Sequence, residues 1–179
     1  VGADVFYGSA EQDLVYGESH NDRLEGRAGN DLLIGGGGDD TLIGGSGGDG
    51  LYGETGDDLI VTEGADVAYG GLGNDVFQSQ DLAFTLIDGE AGVDDWLVPL
   101  TAKPLDLSLV VASGRVRNIE VVSVHPNSDL VVRAEDIAAP TLRLGITGLS
   151  RAGKTVFTTA LVHALSRGGR LPVFEAMNE

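Results

Sequence analysis

One apolar position recurs every nine residues through the first half of the chain, each time behind a run of glycine and acid. From Gly26 the copies read GRAGNDLLI, GGGGDDTLI, GGSGGDGLY and GETGDDLIV. Looser copies lie upstream, GSAEQDLVY from Gly8 and GESHNDRLE from Gly17. A shortened copy, TEGADVAY, starts at Thr62, and a clean one, GGLGNDVFQ, at Gly70. The eighth position is Val15, Leu24, Leu33, Leu42, Leu51, Ile60, Ala68 and Phe77. The sixth is Asp13, Asp22, Asp31, Asp40, Asp49, Asp58, Asp66 and Asp75. The last three residues of a repeat, such as Leu32-Leu33-Ile34, predict a short strand whose middle side chain points to one face. The first six predict a glycine-rich turn, because glycine tolerates positive φ and close backbone approach. A beat this short and regular supports a solenoid.

Charge follows the same division. Residues 1–97 carry 21 acidic side chains against Arg23 and Arg27, whereas residues 98–179 carry nine basic and seven acidic ones. The acid is periodic, which favours cation sites over a solvating tail, and its sign argues against nucleic acid as a partner. Cysteine is absent, which excludes disulfides and thiolate metal sites. No apolar run is long enough for a membrane span. The chain starts at Val1 without a signal peptide, and we expect it to be a piece of something longer.

The repeat G-G-x-G-x-D-x-U-x resembles the RTX, or hemolysin-type, calcium-binding nonapeptide over residues 1–97. The resemblance implies a mainly β protein built on a right-handed parallel β-roll. Two repeats would make each 18-residue coil, with the eighth positions meeting between two sheets. Alternate repeats would then stack Asp22, Asp40, Asp58 and Asp75 in one column and Asp13, Asp31, Asp49 and Asp66 in the other. Neighbours one strand spacing apart, roughly 4.8 Å, repel by about 1 kcal/mol in water and by more at lower dielectric. Calcium, a hard ion that takes six to eight oxygens in flexible geometry, suits such a column. The resemblance places each ion between turns i and i+2, held by sixth-position aspartates and by carbonyls near the second and fourth positions. Those turns use Asp22; Gly29 and Asp31; Gly36, Gly38 and Asp40; Gly45, Gly47 and Asp49; Gly56 and Asp58; Asp66; and Gly71, Gly73 and Asp75. Roughly three to five ions are expected. Glu11 and His20 in place of the fourth-position glycine, and the shortened repeat at Asp66, are expected to weaken their turns.

Beyond Ser79 the beat breaks. Gly89–Leu97 (GEAGVDDWL) reads as one isolated repeat with Asp94 sixth and Trp96 eighth, so that Trp96 would plug the core. Leu82–Ile87 reads as a longer strand. Residues 98–140 alternate apolar stretches (Leu105–Val111, Val116–Val124, Leu130–Val132) with Pro and Gly breaks, which predicts strands and hairpins capping the roll. His20, His125 and His163 read as solvated side chains.

Residues 141–179 carry a different motif. The apolar stretch Leu142–Ile146 leads into Gly148-Leu-Ser-Arg-Ala-Gly153-Lys154-Thr155, a match to the Walker A pattern G-x-x-x-x-G-K-[ST]. Helical spacing follows over Val156–Arg167, and Gly168-Gly169 ends it. This predicts a P-loop strand–helix–strand unit in which Gly148 and Gly153 shape the loop around phosphate. Lys154 would neutralise ATP or GTP phosphates, and Thr155 would reach Mg²⁺. The run LRLGITGLSRAGKTVFTTALVHALSRGGRLPVFEA resembles the start of the YcjX-like family of P-loop NTPases. Only the opening of that core is present, with no Walker B aspartate, so hydrolysis by this chain is not expected. The leading expectation is a secreted calcium-binding module that folds on taking up the ion. The alternative is a cytoplasmic YcjX-like NTPase with an acidic repeat appendage. The outward seventh and ninth positions (Leu14 and Tyr16, Leu32 and Ile34, Leu59 and Val61) offer an apolar face for a partner protein.

Overall fold

The computed structural model describes residues 2–101, 105–106, 113–123 and 130–131. The P-loop segment, with Gly148, Gly153, Lys154 and Thr155, lies outside the described residues, as do His125 and His163.

The repeats fold as strands that alternate between two parallel sheets. One sheet contains β1 (Val5–Tyr7), β3 (Arg23–Ala28), β5 (Thr41–Ser46), β7 (Leu59–Thr62), β9 (Val76–Ser79), β11 (Trp96–Pro99) and β14 (Val121–Val122), in that order. The other contains β2 (Leu14–Ser19), β4 (Leu32–Gly37), β6 (Gly50–Thr55), β8 (Val67–Leu72), β10 (Leu86–Ala91) and β13 (Val116–Arg117). Consecutive strands therefore face each other, and every second strand is a hydrogen-bonded neighbour. This is a β-solenoid of about five turns. Its register is 18 residues, as in Val15↔Leu33↔Leu51 and Leu24↔Leu42↔Ile60. The shortened repeat drops one residue, pairing Leu51 with Ala68. It loses that residue within its turn, so the apolar column is not displaced.

The eighth positions form the core. Leu33, Leu42, Leu51, Ile60, Ala68 and Phe77 are fully buried, Leu24 nearly so, and Val15 closes the first rung. Each alternates with outward neighbours that are half-buried or exposed, the period of two expected of a strand. The full strands run six residues, not three, continuing through the first three positions of the following repeat. The chain keeps its parallel pairing through those positions, although second-position Gly36, Gly45 and Gly71 take positive φ.

Three expectations are corrected at the end of the roll. Trp96 pairs with Val76 and is half-buried, whereas Leu97 pairs with Phe77 and is fully buried. The isolated repeat thus carries one extra residue, and its sixth and eighth positions are Asp95 and Leu97, not Asp94 and Trp96. Leu82–Thr85 is not strand: β10 begins at Leu86, Leu82 takes a φ of 62°, and Phe84 folds into the core end. Arg115 holds this loop by donating to the Leu82 and Phe84 carbonyls, with its guanidinium over the Phe84 ring. Hairpins are also absent among the described residues. Strands β13 and β14 add in parallel to the two sheets, and β12 (Leu105–Asp106) pairs in parallel with β15 (Leu130–Val131). Val116, Ile119 and Val122 continue the apolar core, so the roll's own pattern, not a reversal of chain direction, covers Leu97.

Candidate metal centre

The turns stack along two edges of the roll. Residues 17–22, 35–40, 53–58, 70–75 and 89–95 make one edge, and 8–13, 26–31, 44–49 and 62–66 the other. On each edge the sixth-position aspartates form a ladder that runs from side chain to backbone. Asp4 N–H donates to Asp22 Oδ1, Asp22 N–H to Asp40 Oδ1, Asp40 N–H to Asp58 Oδ1 and Asp58 N–H to Asp75 Oδ1, at 2.7–2.9 Å. On the second edge Asp13, Asp31 and Asp49 donate in the same way to Asp31, Asp49 and Asp66 Oδ1, each at 2.8 Å.

The remaining polar atoms of a column aspartate can be traced one by one. For Asp40, the N–H and Oδ1 belong to the ladder, and the carbonyl accepts from Leu59 N–H at 2.9 Å. Its Oδ2 accepts nothing. The same holds for Oδ2 of Asp22, Asp31, Asp49, Asp58, Asp75 and Asp95, all of them in residues no more than 3 % exposed. A buried carboxylate oxygen with no partner is expensive. In six column aspartates desolvation pushes the carboxyl up from the ordinary range, against the lowering effect of backbone N–H donors. Asp58 rises to about 7, Asp66 and Asp95 rise to about 6, and Asp40, Asp49 and Asp75 are also raised.

Glycine makes room for this arrangement. A Cβ on first-position Gly35, Gly53 or Gly70 would collide with Oδ2 of Asp40, Asp58 or Asp75. At the second and fourth positions the backbone takes positive φ, for example 107° at Gly36 and 125° at Gly38. This conformation persists where the residue is not glycine: Glu18, Arg27, Glu54 and His20 have φ of 75–86°. The carbonyls of Glu18 and His20 face Gly36 and Gly38 of the following rung so closely that a Cβ there would overlap them. Second- and fourth-position carbonyls therefore line the space between rungs. Among the described residues no three His, Asp or Glu side chains converge on one point, so backbone carbonyls and water would complete a cation's oxygen shell.

The weaker turns separate. His20 adopts the turn conformation of the glycine it replaces, and Asp22 Oδ2 is buried without a partner. The turn with Glu11 does not keep the pattern: Asp13 is half-buried and its Oδ2 accepts from Ser9 N–H and Oγ. In the shortened repeat Thr62 carries a Cβ at the first position, and Asp66 Oδ2 turns to accept Glu63 N–H at 2.9 Å. Gly29, Gly45, Gly47, Gly56, Gly71 and Gly73 all hold positive φ in their turns.

The sequence reading missed a second ladder at the fifth position. Asp39 N–H donates to Asn21 Oδ1, Asp57 N–H to Asp39 Oδ1 and Asn74 N–H to Asp57 Oδ1. It runs opposite to the aspartate ladder, each side chain receiving from the later rung. On the other edge only Gly48 N–H to Asn30 Oδ1 survives, since Gly48 and Ala65 have no side-chain oxygen. The recurrent Asn or Asp immediately before the sixth position was the available signal.

Two families match separate segments of the chain. The RTX calcium-binding nonapeptide repeat family matches in four copies, over residues 1–33, 16–51, 25–60 and 52–79. Residues 142–179 match the YcjX-like family DUF463. The Ras-like GTPase YcjX of Escherichia coli (strain K12) is 54% identical over 41 residues, covering 21% of this chain. The chain spans only 9% of the length of that relative. No solved structure matches.

Proposed function

We propose that residues 1–97 bind several calcium ions between successive turns on each edge of the roll, and that this binding drives their folding. The observation that carries the reading is the file of buried, unpartnered Oδ2 atoms. The donors are those oxygens on Asp22, Asp31, Asp40, Asp49, Asp58 and Asp75, with second- and fourth-position carbonyls from the same turns. Donors of this kind fit a hard divalent ion, and bound calcium would supply the positive charge that offsets each carboxylate column. The chain's own part is to hold the oxygens in place. Ladder N–H groups fix Oδ1, and the sheets fix the spacing between rungs. The energetics couple binding to folding. Without a cation, the rungs bring ionised aspartates together and strip them of water, and extracellular modules with dissociation constants of about 10⁻⁴–10⁻³ M fill only where calcium is plentiful. This suits a secreted protein whose roll stays open inside the cell and closes outside.

A second reading rests on the match of residues 142–179 to the YcjX-like family, in which the Walker A residues Gly148, Gly153, Lys154 and Thr155 hold a nucleotide phosphate with Mg²⁺. Titrating the chain with calcium, then with ATP or GTP, under circular dichroism and calorimetry separates the two. Calcium should raise the β signal and nucleotide should leave it unchanged. Order produced by nucleotide alone would favour the second reading. Asp40→Ala combined with Asp58→Ala should lower the number of calcium ions bound, and an unaltered stoichiometry would refute this ligand assignment.

A further inference from the structure

The calcium ligands named above stop at Asp75, yet turn 89–95, which lies beyond the match to the RTX repeat, has the same unfinished chemistry. We propose that turns 70–75 and 89–95 enclose an additional divalent-cation site of the calcium class, with Oδ2 of Asp75 and Asp95 and the Gly73 carbonyl as donors. The proposal rests on the calcium reading of the repeats and extends it to a turn that breaks their pattern.

Asp95 is fully buried and its Oδ2 accepts no hydrogen bond, the same condition as Asp75 Oδ2 one rung earlier. Asp75 N–H donates to Asp95 Oδ1 at 2.8 Å, so Asp95 occupies the sixth-position column despite lying 20 residues on. The extra residue is accommodated at the fifth position: Val93 N–H and Asp94 N–H both donate to Asn74 Oδ1 at 3.2 Å. This leaves Asp94 outside, exposed, and sends Asp95 inward. Gly92 fills the fourth position, and a Cβ there would strike both the Gly73 carbonyl and the Asp95 carboxylate. The cradle is thus open to an ion and closed to a side chain.

The end of the column is sealed by residues outside any repeat. Asp95 N–H donates to Glu120 Oε2 at 3.0 Å, so a glutamate takes the place that the next aspartate fills elsewhere. Asn118 Nδ2 donates to Asp88 Oδ1 at 2.7 Å, and Glu90 N–H donates to the same oxygen at 3.1 Å, which pins the turn's start. Glu120 and Asn118 are positioning residues: they hold the turn that presents Asp95.

Trp96, the sole tryptophan, follows Asp95 directly and gives a local readout. Terbium, a hard oxygen-seeking ion, bound at Asp95 would emit on excitation of the indole at wavelengths that spare tyrosine. In the full chain we expect tryptophan-sensitised emission that calcium displaces. Asp95→Asn should abolish it and remove a single calcium ion from the stoichiometry, while Asp94→Asn leaves both unchanged. Glu120→Gln should weaken calcium binding at this site without abolishing it. Circular dichroism in saturating calcium checks that the variants retain the roll. Should Asp95→Asn fail to fold, the unaltered chain still decides, since a lack of sensitised emission while it binds calcium elsewhere overturns the proposal. Emission that survives Asp95→Asn, or depends on Asp94, overturns it too. If the unaltered chain binds no calcium at all, the broader reading of the repeats has failed instead.

Discussion

A column aspartate divides its two oxygens between different tasks, and the division sets its response to pH. Oδ1 satisfies a backbone N–H of the preceding rung, while Oδ2 is buried with nothing to neutralise it. Burial raises Asp58 to about 7 and Asp66 and Asp95 to about 6. A group whose folded value lies above its unfolded one binds protons more readily in the fold. Its stabilising contribution is complete below the unfolded value near 3.8 and is lost as pH rises through about 6–7. In the presence of a chelator, thermal melts should therefore show a roll that is more stable near pH 5 than near pH 8. A melting temperature that rises over that interval would contradict the burial of these carboxylates. Calcium uptake near pH 6 should release protons, measurable as a buffer-dependent heat. First-position glycines provide a second test at this scale. Gly53→Ala drives a Cβ into Asp58 Oδ2 and the Gly70 carbonyl, and should cost about 1–3 kcal/mol. Gly37→Ala meets Thr55 Oγ1 at 3.4 Å and the Glu18 carbonyl at 3.9 Å, both ordinary contacts, and should shift stability by no more than about 0.5 kcal/mol in denaturant melts.

A strand in this roll has a core of one side chain, so each rung is a thin layer. The eighth-position residue is sealed by the facing strand and by the same position on both neighbouring rungs. Leu42 is fully buried in mid-roll, and Leu42→Ala should destabilise the calcium-saturated chain by about 2–5 kcal/mol in chemical denaturation. A loss under about 1 kcal/mol would mean that the layer collapses to fill the gap. The shortened repeat shows how an element absorbs a deletion. Strand β7 ends at Thr62, two residues earlier than β5, and Asp66 satisfies its own turn instead of leaving Oδ2 free. The insertion in 89–95 is absorbed in the turn as well. Both changes leave the apolar column aligned, because a one-residue slip within a strand would turn its buried side chain to solvent.

At the scale of the molecule the two edges are unequal. The edge carrying Asp22, Asp40, Asp58, Asp75 and Asp95 has both ladders, extended by Glu120, and every one of those Oδ2 atoms is without a partner. The other edge has a broken fifth-position ladder and ends at Asp13 and Asp66, whose carboxylates are already occupied. Much of this was legible in the sequence. The nine-residue period placed the eighth positions inside, paired alternate repeats at a spacing of 18, and aligned two acidic columns, since a solenoid repeats its local rules from rung to rung. Reading failed where the chain leaves its period. Choosing between Asp94 and Asp95, or between Trp96 and Leu97, required knowing which residue of an irregular repeat is extruded. Packing against Phe77 and the bonds to Asn74 decide that. Glu120 and Asn118 had no local signal, because they reach the column from a separate segment. The sequence by itself determined the repeating unit, its inward residue and its acid, all of which are local properties of nine residues. Tertiary structure alone decided which carboxylate oxygen is left unpaired and how the roll is closed, because both depend on atoms brought from the adjoining rung.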